Sequence, residues 1–320
     1  MKKSTKIWLI TAVSFVLIGC IVLAGAMTVL GWNWSKLSTI NYQLNQYQID
    51  DVFDNISVDS KTAQITFAVA EDGICRVSCY EENKVKHAVS VQGNTLVIKA
   101  DDRREWYDYI GINLAFAKIT VYLPQTEYEA LIVRSKTGDV ILPKELRFGQ
   151  VDIALATGDV SFNACATGKV KIKTSTGDVC LANTYMDELD VSVTTGSITA
   201  RDVVCTGDIA TKSSTGRTEF INVQCDGLVS DGTTGDLLLR GVIATGQCSI
   251  TTSTGDVTMA SCDAAELFIE TDTGDVTGSL LSEKVFITHT DTGDVEVPKS
   301  VNGGRCEIIT DTGDIEITVQ

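Results

Sequence analysis

Proline is scarce, three residues in 320, and aromatic side chains supply only 7% of the chain. With 26 glycines against three prolines, the turns have to come from backbone freedom rather than from fixed φ angles. Histidine occurs twice, at His87 and His289. There is no CxxC, no HExxH and no glycine-rich phosphate loop, so the common zinc and nucleotide motifs are excluded. Positive charge is also short: 26 Lys and Arg stand against 42 Asp and Glu, a net charge of −16. Nucleic-acid binding needs a cationic footprint that displaces counterions, so nucleic acid is excluded as a partner.

The charge-free stretch is at the start. Lys2, Lys3 and Lys6 precede Ile7–Leu30, which is 24 residues without a charge. As a helix it would reach about 36 Å, more than the roughly 30 Å hydrocarbon core of a bilayer. Trp32 and Trp34 follow at interfacial depth. The lysines before the span predict a cytoplasmic N-terminus and an extracytoplasmic body, a single-pass anchor through residues 7–30 at the cell membrane. Two other readings stay open. Leu17–Cys20, "LIGC", has the form of a lipobox with Cys20 lipidated, and Ala24–Ala26 has the form of a signal-peptidase site. The apolar run continues past both, to Leu30.

What the chain has in abundance is one corner motif. Gly138, Gly158, Gly177, Gly196, Gly216, Gly235, Gly255, Gly274, Gly293 and Gly313 each follow a threonine, in sequences from "KTGDV" to "DTGDI". Their spacings are 20, 19, 19, 20, 19, 20, 19, 19 and 20 residues. Counting each Thr as position 1, apolar residues recur at positions 4 and 6, as in Val179/Leu181 and Val295/Val297. They recur near position 9, where Cys165 and Cys262 also fall, and near 14 and 16, with Cys248 and Cys306 near 14. Alternation at spacing two is a strand with one buried face. A weaker punctuation follows about ten residues after the first, at Gly168, Gly207, Gly227 and Gly246.

A period of 19–20 residues is too short for a propeller blade, which needs about 40. It suits one coil of a parallel solenoid, in which equivalent residues stack about 4.8 Å apart. One coil buries too few side chains to offset the ordering of its backbone, so the coils must fold as an array. The expected class is therefore all-β: a single-stranded, right-handed parallel β-helix or solenoid, preceded by one transmembrane helix. Nine or ten coils would make a rod about 45 Å long. Its expected organisation is an anchor over 1–34, a β-rich linker and cap over 35–134, and the repeat over 135–320. "KTAQITF" at Thr62 reads as a degenerate corner, so irregular coils could begin there. The C-terminal "DIEITVQ" carries no capping helix and is expected to leave an open strand edge.

In this reading the glycine serves a sharp turn that needs positive φ. The threonine bonds to stacked neighbours, and the aspartate accepts backbone N–H groups in an Asx-type turn.

The corners from Thr137 to Asp314, with the lysine-led span before them, resemble the putative-adhesin β-strand-repeat family. It is a domain of unknown function found in membrane-anchored bacterial proteins. The resemblance implies a right-handed parallel β-helix in the cell envelope, some relatives being linked to envelope stress, and carries over no catalytic residues. Gly196-Ser197 and Gly216-Arg217 depart from the pattern and interrupt the aspartate row.

Four candidate features stand beside the architecture. Asp272, Asp275, Asp291, Asp294, Asp311 and Asp314 form D-x-x-D pairs in the last coils; turn capping is the simpler role and an oxygen-rich Ca²⁺ site the alternative. Cys205 and Cys225 share a phase in neighbouring coils and could bridge. Trp106, Tyr107 and Tyr109 break the alternation, either as a cap over the first coil or as a binding loop. His87 and His289 lack metal-ligand spacing. The expected function is non-catalytic: an adhesin-like binder, scaffold or sensor component with a protein or glycan partner at the envelope, without a cofactor unless Ca²⁺. The rival is a glycan-active β-helix enzyme. An open end also predicts end-to-end self-association.

Overall fold

The computed structural model describes residues 3–29, 31–32, 42–106 and 116–320. Among the described residues the one α-helix, α1 (Lys3–Val29), contains a segment, Thr5–Val29, long and apolar enough to cross a membrane, and none of its most apolar window is buried. All 25 strands belong to one hydrogen-bonded network.

The repeat is a parallel β-solenoid. The first coil is β2 (Asn55–Val69). It is followed by β7 (Glu127–Thr137) with β8 (Val140–Leu142), by β9 (Arg147–Thr157) with β10 (Val160–Phe162), and by β12 (Lys169–Thr176) with β13 (Val179–Met186). The pairing between coils is parallel, with register shifts only at Ala244/Gln247 and Met259/Cys262 among the described residues. The corner threonines form one column, Thr62, Thr137, Thr157, Thr176, Thr195, Thr215, Thr234, Thr254, Thr273, Thr312 and Thr292. Thr62 thus marks a true first corner, and the coil stack begins inside the segment 35–134.

The alternation places one apolar column above another. Val140, Val160, Val179, Ile198, Thr218, Leu237, Val257, Val276 and Ile315 are stacked neighbours and all are buried. Each inward side chain is covered by its equivalents above and below, so the core is continuous along the rod.

The corner glycines have φ between 125° and 154°, a region that side chains rarely enter. Close approach is a second requirement. A Cβ on Gly274 would lie 2.1 Å from the carbonyl oxygen of Gly255. A further bend, not anticipated from the sequence, sits at position 8 of five coils. Asn183, Asp202, Asn222 and Ser261 have φ of 52–53°, and Gly241 has φ of 62°. Asn, Asp and Gly tolerate this left-handed conformation best, and their recurrence there was the legible signal. The weaker punctuation is different: Gly168, Gly207, Gly227 and Gly246 do not have positive φ. A Cβ there would come within 2.6–3.1 Å of atoms of neighbouring coils.

Both ends depart from sequence order. At the N-terminal end β5 (Thr95–Asp102) and β6 (Ala117–Leu123) lie parallel to the two halves of β2. Antiparallel strands then stop the stacking: β4 (Val85–Gln92) on β5, β3 (Cys75–Glu82) on β6, and β1 (Tyr42–Ile49) on β3.

At the other end the expected open edge is corrected. The last coil in sequence, β24 (Gly304–Thr312) and β25 (Ile315–Val319), is inserted between β20/β21 (Val257–Thr273, Val276–Leu280) and β22/β23 (Lys284–Thr292, Val295–Glu296). The start of "DIEITVQ", Ile315 and Glu316, is therefore covered by the coil Lys284–Glu296, which forms the edge, while Ile317–Val319 pair with β21 alone. Composition explains the exchange. The inserted coil buries Cys306, Ile308, Ile315 and Ile317, whereas Val295, expected to face inward, is 44% exposed. Pro298 has no N–H to donate, so it fits an outermost coil.

Candidate functional site

On the outer face of the first coils, strand alternation presents Ile132, Arg134 and Lys136 from β7, Gln150, Asp152, Ala154 and Ala156 from β9, and Lys171, Lys173 and Ser175 from β12. The middle strand carries the smallest side chains. A trough follows β9 as three adjoining depressions of about 720, 250 and 470 Å³. Its floor includes Gly149, Gly168, Ala130, Ala154 and Ala156.

The trough is polarised. One end is bordered by Lys61, Arg134, Lys136 and Lys173, with Asp59 among them. Lys61 is held by Asp102 at 3.1 Å, and Arg134 pairs with Asp152. Asp102 is buried, and its hydrogen bonds from Arg104, with a smaller contribution from Lys61, hold its carboxyl well below the usual range. Among the described residues Lys136 and Lys173 carry no ion pair. The other end is acidic, with Asp54, Glu127 and Glu129. Asn94, Thr167 and Asn55 donate to these carboxylates at 2.9, 3.1 and 3.0 Å. On a chain of net charge −16, a basic stretch with two unpaired lysines is a local reversal of sign. Sequence reading missed it because its residues come from separate coils and none belongs to the corner motif.

The aspartate row has a specific job in the geometry. Apart from Asp294 on the edge coil, the carboxylates reach the next coil rather than closing an Asx-type turn, Asp236 at the longest distance, 3.4 Å, which corrects that expectation. Asp139, Asp159, Asp256, Asp275 and Asp314 accept the backbone N–H of Asp159, Asp178, Asp275, Asp314 and Asp294 at 2.8–3.0 Å. Asp178 accepts from Ser197 at 2.7 Å. Owing to the inserted coil, the second acidic row runs Asp272, Asp311, Asp291, all exposed. His289 contacts Asp291 at 3.0 Å.

Cys205 and Cys225 are buried at consecutive register positions as free thiols. Burial pushes their thiols up, to about 11 and about 12. Cys248 and Cys306 face inward as expected; Cys165 does not, since Ala164 and Ala166 take the buried positions beside it. Trp106 is 75% exposed, and Tyr107 and Tyr109 lie outside the described residues. His87, read as lacking metal-ligand spacing, is buried against Glu81, which the sequence could not show because the contact crosses between strands β3 and β4.

A model of the family described as toastrack DUF4097 matches residues 53–214 and again residues 185–320. Among solved structures, similarity extends to a protein of Parabacteroides distasonis named a putative lipid binding protein, at 14% identity, over 86% of this chain and 97% of that one, with a TM-score of 0.48. A Bacteroides fragilis protein named a putative adhesin shares 14% identity over 87% and 97% of the two chains, TM-score 0.42. One from Parabacteroides merdae with the same designation shares 12% identity over 87% and 96%, TM-score 0.49. No curated protein matches the chain.

Proposed function

The chain belongs to the toastrack DUF4097 family, and we propose that it is a non-catalytic binding scaffold, anchored in the cell membrane by α1 and exposed outside the cytoplasm. Its adhesin-like contact surface is the trough over β9. The observation that carries this reading is the polarised trough on an otherwise repetitive rod. The stacked coils give a rigid backbone, and the small residues of β9 leave room for an extended segment lying along the strand. Lys136 and Lys173 favour its anionic end by charge complementarity, which adds selectivity and speeds encounter. The partner that fits is an anionic glycan or protein segment of the envelope. The lysines ahead of Ile7 and the apolar length of the helix support an N-terminus on the cytoplasmic side.

Binding of the full chain in detergent to an immobilised anionic polysaccharide tests the surface. Lys136→Glu with Lys173→Glu is expected to weaken capture at least about tenfold, while substitutions on the opposite end of the rod leave it intact; equal capture by the variant would end the assignment. Release of shortened or unsaturated sugars on incubation would instead establish the glycan-active alternative. Protease accessibility of the body on intact cells checks the orientation.

A further inference from the structure

The cap closes over a polar cluster that the repeat does not require. Cys79 and Glu81 point inward from one face of β3, and His87 points inward from β4. Ser60 occupies an inward position of the first coil, just before its corner. All four side chains are buried. Glu81 Oε2 accepts the backbone N–H of His87 at 2.7 Å and lies 2.7 Å from its Nδ1. Glu81 Oε1 accepts from Asn45 Nδ2 at 2.7 Å. His87 Nε2 lies 3.1 Å from Ser60 Oγ, and the Tyr47 hydroxyl donates to the His87 carbonyl at 3.3 Å. A sulfur, a carboxylate oxygen and a ring nitrogen from Cys79, Glu81 and His87 all lie within 4.8 Å of one another.

This grouping is unlike the other inward cysteines. Cys248 and Cys306 lie beside Leu267 in an otherwise apolar column, where a thiol acts as a small hydrophobe. Cys79 is instead set against a fully buried carboxylate. Burial, and then the Glu81 charge, push its thiol up to about 12. A buried carboxylate needs a compensating charge, and the ionisable group in contact with it is an imidazole.

We propose that Cys79, Glu81 and His87 bind one zinc ion that clips together the two flaps of the cap. Sulfur, nitrogen and oxygen donors suit this borderline ion, with bonds of roughly 2.0–2.3 Å. Nitrogen and oxygen ligands of a tetrahedral centre then sit about 3.3 Å apart, so the His87–Glu81 contact opens by under about 1 Å. The Cys79 thiol gives its proton to solvent, the proton held between Glu81 and Nδ1 also leaves to solvent, and His87 coordinates through the Nδ1 lone pair as the tautomer whose Nε2–H donates to Ser60 Oγ. A dication facing one thiolate and one carboxylate leaves the site neutral. Ser60 and Asn45 hold the ring and the carboxylate from behind, the arrangement that fixes the tautomer of ligating histidines. Water fills the fourth position. The ion would join β3 and β4, which belong to the two separate flaps of the cap.

The test uses the full chain in detergent, stripped of metal and titrated with Co²⁺ and with Zn²⁺. The expected result is one Co²⁺ per chain with a thiolate-to-metal charge-transfer band, and a Zn²⁺-dependent rise in Tm through linkage. Cys79→Ser should abolish the band and weaken Zn²⁺ binding at least about tenfold, while Cys180→Ser, at an exposed thiol, should change neither. His87→Gln should also lose metal; if it fails to fold, the Cys79→Ser result alone decides. A chain that takes up no stoichiometric Co²⁺, or a band that survives Cys79→Ser, overturns the site.

Discussion

At the scale of the residue, the corner glycine answers to two constraints that reinforce each other. Gly274→Ala is expected to cost at least about 2 kcal/mol in urea unfolding, because backbone strain and a backbone clash coincide. Ala63 shows the contrast. It holds the glycine place of the first corner, next to Gly138, but its φ is not positive. Ala63→Gly should therefore change stability by less than about 1 kcal/mol. The aspartates sit on the surface, so each inter-coil bond contributes modestly; Asp256→Ala should cost about 1 kcal/mol. We propose that capping is their role. With one oxygen of Asp275 and of Asp314 already engaged, Tm should not shift between millimolar Ca²⁺ and chelator; a rise with Ca²⁺ would favour the cation site. The buried thiols make a pH prediction. Cys75 and Cys205 are raised to about 11, and Cys79, Cys225 and Cys306 to about 12, burial being the first cause in each. The unfolded chain loses these protons near pH 9 while the folded one keeps them. The thiol contribution to stability should thus be flat below about pH 8 and be lost as pH rises toward 11–12. Unfolding titrations at pH 7, 9 and 10 check this. A Cys205–Cys225 bridge would require both thiols to be oxidised within the core, and mass spectrometry of the native chain after alkylation distinguishes it from two free thiols.

At the scale of the element, the exchanged order of the last two coils is the feature with consequences. Ile308 of the inserted coil is fully buried, whereas Ile287 of the edge coil is 47% exposed. Ile308→Ala should cost about 2–4 kcal/mol, and Ile287→Ala within about 0.5 kcal/mol. Ile287 faces outward opposite Glu307 in either order; if the coils followed sequence order, Ile308 would lie on the outer coil and the cost of Ile308→Ala would fall. Asp263 and Lys284 anchor the segment where the chain leaves the stack: Lys284 is buried and donates to Asp263 at 2.7 Å. Although burial works against it, Lys284 and Ser282 bring the Asp263 carboxyl below its usual range. Lys284→Met would leave that carboxylate half-buried without its cation, and amide exchange of residues 281–296 should then accelerate relative to the rest of the rod.

At the scale of the molecule, the cap covers one end and Lys284–Glu296 leaves the other as a strand edge. We propose this edge as the surface for end-to-end association. Sedimentation velocity of the full chain in detergent should show concentration-dependent species, and Thr288→Pro on the edge coil should remove them; a monomer at every concentration would dismiss the idea. The net charge of −16 opposes such contacts at long range, so association should strengthen with salt.

Period, alternation and the corner glycine were legible from sequence because a solenoid repeats one environment in every coil, and each coil must therefore repeat the residues that satisfy it. The first corner at Thr62 was legible for the same reason. What lay outside that reach depends on contacts without a period. Lys136 and Lys173 border the trough because small residues lie between them, and Cys79, Glu81 and His87 meet because two flaps fold onto one coil. The order of the last two coils also required the tertiary structure, since both carry the same corner motif and local pattern. Only burial, which favours the isoleucine-rich coil inside and the proline-bearing one at the edge, separates them.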